Sequence, residues 1–127
     1  YRAAGGEPDE GKIAVAWVIR NRMDDGRRWP NTVPGVVFFN RKVSSGRRVW
    51  HFSCHDPADF NSGKWPAWND HTWIRCREIA GGILDGSIPD PTKGANHYES
   101  LPDTQEPSWA DDAAKTATIG RHEFYIL

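Results

Sequence analysis

The stretch Tyr1–Met23, YRAAGGEPDEGKIAVAWVIRNRM, divides into a small-residue segment with one acid (Ala3, Ala4, Gly5, Gly6, Glu7) and a long apolar run led in by Pro8-Asp9-Glu10. Pro8 suits a first helical turn because the N–H it lacks would find no intrahelical partner there. Asp9 and Glu10 place negative charge where the helix dipole favours it. From Ile13 to Ile19 every residue is apolar, which predicts a helix packed on most sides at a domain's centre, with Arg20-Asn21-Arg22 emerging into water. A glycine-rich bend with an acid at the head of such a helix can hold a catalytic carboxylate in a cleft. A buried scaffold helix with an ordinary bend fits the same residues.

The 127 residues suffice for one domain with a real core and not for two. A net charge of −1 gives no electrostatic footprint for nucleic acid. Arg27, Arg28, Arg41, Lys42, Arg47 and Arg48 cluster in sequence, either as a local basic face or as solvated loop surface. Seven tryptophans exceed what a core of this size normally uses, and indole rings stack on sugars, so composition points to carbohydrate. No apolar run reaches the length of a membrane span, and no basic-then-apolar leader precedes Tyr1. A start two residues ahead of the opening motif fits a chain whose natural N-terminus lies further upstream. A monomer is expected.

Beyond the first helix, Asp24–Asn31 reads as loop and Thr32–Phe39 as a short helix with Thr32 as N-cap, its apolar side docked on the first helix. Arg41–Arg48 reads as a loop or hairpin arm. In Val49–Cys54, Trp50, Phe52 and Cys54 alternate with His51 and Ser53, the period of a half-buried strand whose polar face carries His51 and Ser53. A second long helix is predicted over about Trp68–Asp85, stopped by Gly86. A rigid turn over Ile88–Gly94, a short extended Ala95–Tyr98, a loop over Leu101–Trp109 and a closing strand over Ile119–Ile126 complete the chain. Long helices with small, loop-rich β pieces predict a single α+β domain over residues 1–127.

Five histidines invite a metal centre, but HExxH is absent and no His–carboxylate pair stands at a ligand spacing. A zinc site from His51, His97 and His122 has no support in the pattern, and no cofactor is expected. There is no GxSxG elbow for a serine hydrolase. Cys54 and Cys76 are either a disulfide, closing a loop of about 20 residues and adding roughly 3 kcal/mol, or two core thiols. Glycosidase chemistry needs a carboxylic acid at the leaving oxygen. Glu7, Glu10, Asp56, Asp59 and Glu99 qualify by residue type alone.

The ordered segments GEPDEGKIAVAWVIRNR, WPNTVPGVV, the FSC piece, DPTKGANHY and IGRHEFY resemble the cell-wall hydrolase family of the spore-cortex-lytic enzymes, the SleB/CwlJ type, with relatives among phage lysins. The resemblance covers nearly the whole chain. It implies a lysozyme-like fold of the lytic-transglycosylase kind, mainly helical with small β pieces, acting on peptidoglycan glycan strands at the bacterial cell wall.

In that family the opening motif runs Tyr-x-Glu-Ala-x-Gly-Glu and its first Glu is the catalytic acid. Laid on this chain without gaps, Tyr1, Ala4, Gly6 and Glu7 match, and the acid falls on Ala3. The chain as written is therefore expected to bind glycan without cutting it. The intact flanking pattern favours a deliberate Glu→Ala replacement over a natural glycan-binding relative. The resemblance further implies a supporting or sugar-contacting role for Glu7, a polar contact from Ser53, and cleft positions for His97 and Tyr98. Trp50, Trp65 and Trp109 are the tryptophans expected at the groove, and Trp17 and Trp73 those expected in the core. Because some family members are described as N-acetylmuramoyl-L-alanine amidases, amide cleavage with zinc is the competing activity. A non-catalytic glycan-binding module is the third.

Overall fold

The computed structural model describes residues 1–101 and 107–127. It contains helix α1 (Asp9–Asp25), short helix α2 (Val33–Val37), strands β1 (Asn40–Lys42) and β2 (Arg48–Trp50), and helix α3 (His71–Leu84). Strands β3 (His97–Ser100), β4 (Ala114–Ile119) and β5 (His122–Ile126) follow. The α+β architecture expected from the sequence is present. Single 3-10 turns stand at Ser53–His55, Phe60–Gly63 and Ala110–Asp112.

Helix α1 starts where predicted, with Pro8 as N-cap and Asp9 and Glu10 in its first turn, and Gly26 ends it at a left-handed φ of 59°. Burial is narrower than the apolar run suggests: Gly11, Ala14, Val15, Val18 and Arg22 are buried, one stripe at helical spacing. The polar end does not simply emerge into water. Arg22 turns inward, its Nε donating to the Asn96 carbonyl at 2.7 Å, while Arg20 caps the end of α3 through Ile83 O and Leu84 O. Thr32 caps α2 by accepting from Gly35 N, as its sequence predicts, and the buried Val36 packs with Ile19 and Met23 of α1.

Three expectations are corrected. Val49–Cys54 is not one strand: β2 stops at Trp50 and Ser53–His55 coils into a 3-10 turn, because Phe52 and Cys54 bury into the same cluster without continuing the ladder. The closing element is a hairpin, β4 and β5 joined through Gly120 and Arg121, and not a lone strand. Helix α3 begins at His71 because Asp70 accepts from Trp73 N at 3.0 Å, which leaves Trp68 outside and exposed. The loop expected over Leu101–Trp109 falls, at 102–106, outside the described residues.

The three-stranded sheet is antiparallel in the order β3-β5-β4, with Tyr98 opposite Phe124 and Ser100 opposite His122. One core cluster joins Ala4, Ala14, Val15, Val18, Ala95 and Phe124; the other joins Trp29, Val36, Phe52 and Cys54. Ala3 and Tyr98 pack against both and so mark where the two clusters meet. Cys54 and Cys76 are both free thiols. The bridge considered from their spacing is not formed: Cys54 belongs to the second cluster, while Cys76 rides on α3, which packs on α1. No helix among the described residues is long and apolar enough to cross a membrane.

Candidate active site

A cleft of about 350 Å³ opens between the N-terminal segment, α1, the end of β2 with the turn that follows it, and the sheet. The N-terminal segment contributes Arg2 and Ala3, and α1 contributes Arg22. Trp50 through Cys54 and Asn61 line it from the loop side, and Tyr98, Glu99, Ser100 and His122 from the sheet. Ala3 sits in a turn ahead of α1, lines this cleft and packs against both core clusters. Four of the expected site positions, Ala3, Trp50, Ser53 and Tyr98, are thus brought together.

Glu7 is not among the lining residues. Its carboxylate, 6% exposed, accepts from the Arg121 backbone N–H at 3.2 Å, lies 3.5 Å from the Arg121 guanidinium and 3.6 Å from His122 Nδ1. It is walled in by glycines: a Cβ on Gly11 would come within 2.9 Å of Glu7 Oε2, and one on Gly120 would strike the same oxygen. Glu7 thus stands behind His122, outside the lining of the cleft.

His97 is also turned away from the cleft. Alternation along β3 sends Tyr98 to the cleft and His97 to the other face, where its ring lies 5.8 Å from Trp29 and 5.0 Å from Trp109 and its Nδ1 contacts Asn96 Oδ1 at 2.7 Å. Trp109 packs there as well, against Tyr125, and Trp65 is exposed beneath the Arg2 guanidinium. Neither lines the cleft. Trp17 and Trp73 are half-buried, Trp17 donating to Ile88 O at 3.2 Å and Trp73 standing edge-on to Tyr1. The fully enclosed indole is Trp29, which donates to His51 Nδ1 at 3.3 Å.

Burial sets the charge states. Desolvation, with Arg22 and Arg41 adding repulsion, brings His51 down to about 4. Desolvation and the cations Arg22 and Arg28 bring His97 down to about 4 too. His122 is lowered by burial against an opposing pull from Glu7. These imidazoles are neutral at physiological pH. Tyr98 is pushed up to about 12 by burial and stays a phenol, and Cys54 is raised by burial into an unreactive thiol. Among the described residues, no three His, Cys, Asp or Glu side chains converge as metal ligands.

Sequence reasoning missed Arg2, Arg22, Asn61 and Ser100, had Glu99 only by residue type, and weighed His122 only as a zinc ligand. Glu99 Oε1 accepts from the Tyr125 hydroxyl at 2.7 Å. Apart from the cluster of charge at the end of α1, which read as solvent-facing, no local signal marks these residues; the fold assembles them from five separate segments.

Comparison with known proteins bears on this cleft. The model of the cell wall hydrolase family matches residues 6–125. The spore cortex-lytic enzyme of Oceanobacillus iheyensis is 32% identical over 127 residues, covering 98% of this chain and 37% of its own. That of Bacillus subtilis is 29% identical over 126 residues, covering 98% and 34%. The chain thus spans about a third of the length of these relatives. In solved structures, the catalytic domain of the Bacillus cereus SleB protein superposes with a TM-score of 0.63 at 29% identity, over 95% of this chain and 78% of that one. The catalytic domain of the germination-specific lytic transglycosylase SleB from Bacillus anthracis gives 0.64 at 29% identity, over 95% and 82%. The lysozyme-like α+β fold expected from the motifs is the fold these domains share with the chain.

Proposed function

The chain belongs to the cell wall hydrolase family, and from that premise we propose that its cleft binds peptidoglycan glycan strands at the bacterial cell wall but, with Ala3 at the acid position, does not cleave them. The observation that carries this reading is the place of Ala3: it lines a polar cleft at the junction of both core clusters, among groups suited to hold sugar. A methyl group neither donates nor accepts a proton, and loss of general acid catalysis alone costs about two to four orders of magnitude in rate.

With Glu restored at position 3, a single carboxyl group serves a lytic transglycosylase. It protonates the oxygen between N-acetylmuramic acid and N-acetylglucosamine. As a carboxylate it then takes the proton of the muramic C6 hydroxyl, which attacks the anomeric carbon and closes a 1,6-anhydro ring. The glycosidic bond breaks, an intramolecular ether forms, and no water is consumed. The Tyr98 phenol and the exposed Ser53 hydroxyl are available as hydrogen-bond donors to the sugar. Glu7 acts at one remove, fixing the wall against which the acid would stand.

Digestion of purified cell walls with the Ala3→Glu protein, followed by mass spectrometry of the muropeptides, tests the reading. Anhydro-muramyl ends are expected. Released stem peptides without anhydro ends, lost on adding a chelator, would establish amide cleavage instead. Binding to walls without lysis in the restored protein would leave a glycan-binding module.

A further inference from the structure

Arg22 carries more charge into the cleft than the fold uses. The residue is 4% exposed and lines the cleft from α1. Its Nε is spent on the Asn96 carbonyl, and its guanidinium carbon lies 5.1 Å from the Trp29 ring centroid and 5.2 Å from that of Phe52. Its Nη1 is buried with no hydrogen-bond partner among the described residues. None of the ion pairs among those residues includes Arg22. Desolvation, opposed by Tyr98 and reinforced by Arg28, brings the group down to about 10, which leaves it cationic at neutral pH.

A buried, unpaired guanidinium is costly, since neither water nor a carboxylate repays its desolvation. Aromatic faces on two sides hold its plane but satisfy no N–H. A structural arginine at this depth would be expected to bring its own acid. The acid nearest in function, Glu99, does not pair with it. Glu99 follows His97 on the other face of β3, where its Oε1 accepts from the Tyr125 hydroxyl and its Oε2 is buried without a partner among the described residues. Three buried polar atoms lack a partner among the described residues, Arg22 Nη1, Glu99 Oε2 and His122 Nδ1, and of these Arg22 is the one that brings a full positive charge to the cleft. An unmatched cation suits a ligand that carries an anion.

We propose that Arg22 Nη1 forms a carboxylate subsite, and that its occupant is a carboxylate borne on the muramyl residue of the bound glycan. This rests on the reading of the cleft as a glycan site. Two sources carry the required group: the lactyl substituent of muramic acid where no peptide is attached, and the stem peptide where one is. Guanidinium suits either through paired N–H···O contacts.

Calorimetric titration of the unmodified chain decides the matter with three ligands built on one GlcNAc–MurNAc tetrasaccharide: free lactyl carboxylates, lactyl methylamides, and stem peptides. One of the two acidic ligands is expected to bind about tenfold or more tightly than the methylamide, as for a charged hydrogen bond, and the tighter of the two identifies the source. Arg22→Gln should abolish that preference and Arg22→Lys should keep part of it, each compared at matched melting temperature. Equal binding of all three ligands by the unmodified chain overturns the carboxylate subsite while sustaining the glycan reading. Failure of every ligand to bind overturns both.

Discussion

The pocket around Glu7 and the cleft around Ala3 lie a few residues apart along the chain, yet they treat polar groups in opposite ways. Glu7 is enclosed and served: the Arg121 backbone N–H donates to its carboxylate, the Arg121 guanidinium lies beside it, and a glycine on either side admits it. In the cleft, Arg22 Nη1 is buried with nothing to bond among the described residues, and so is Nδ1 of His122, which stands between the two regions. Buried polar groups are almost always satisfied internally when their role is structural. The contrast separates a carboxylate that holds the fold from groups set aside for a ligand.

The widest separation between the two regions is expected from acids introduced or removed in each. Ala3→Glu should raise lysis of purified cell walls by about two to four orders of magnitude, read as turbidity loss with anhydro-muropeptides as products, whereas Ala3→Gln should leave the unmodified rate. Comparable gains from Gln would mean that position 3 does not transfer a proton. On the Glu7 side the expected effect is on stability. Gly120 has a φ of 60° and a Cβ there meets Glu7 Oε2, so Gly120→Ala combines a left-handed backbone cost with a displaced carboxylate. A loss of about 2–4 kcal/mol in chemical denaturation is expected. An unchanged midpoint would show that Glu7 is not clamped as described.

Asp90 offers the corresponding test in the turn that leads into β3. Its carboxylate accepts from Thr92 N at 2.7 Å, Thr92 Oγ1 at 2.7 Å, Gly94 N at 2.9 Å and Asn21 Nδ2 at 3.0 Å. Burial pushes its pKa up, but these hydrogen bonds outweigh burial and hold it below the usual carboxylate range. Asp90→Ala should cost about 1–3 kcal/mol and loosen the positions of Tyr98 and Glu99 together. If glycan affinity in the folded variant stays unchanged, the turn contributes to stability alone.

Local chemistry made the helices legible. Pro8-Asp9-Glu10 and Thr32 announce their helix starts without help from the rest of the chain, and the apolar β5 is visible as a sheet centre. What stayed hidden depends on distant partners. Strand β4, reading AKTATI with an edge position, carries too little hydrophobic pattern to separate it from loop. The alternation through Trp50, Phe52 and Cys54 mimics a strand because a 3-10 turn also buries Phe52 and Cys54. Arg22 looks solvated until Asn96, 74 residues away, supplies its acceptor. Ala3 was marked only by a resemblance between motifs, since no residue-level chemistry points to a missing group.

The smallest effect concerns histidines on the two sides. His51 lines the cleft, and His97 stands on the reverse face beside Trp29. Both are lowered from 6.5 to about 4, chiefly by burial and further by nearby arginines. Between those values the unfolded chain binds protons that the folded chain refuses, so stability rises with pH across the window and levels off above 6.5. His122, beside Glu7, is lowered as well, but the carboxylate pulls against burial, and its share of the slope should be smaller. Thermal melting between pH 4.5 and 7 should therefore show a rise of a few degrees that flattens more in His51→Gln and His97→Gln than in His122→Gln. A greater flattening in His122→Gln would place the uncompensated burial behind Glu7 and reverse the assignment of which region is internally satisfied.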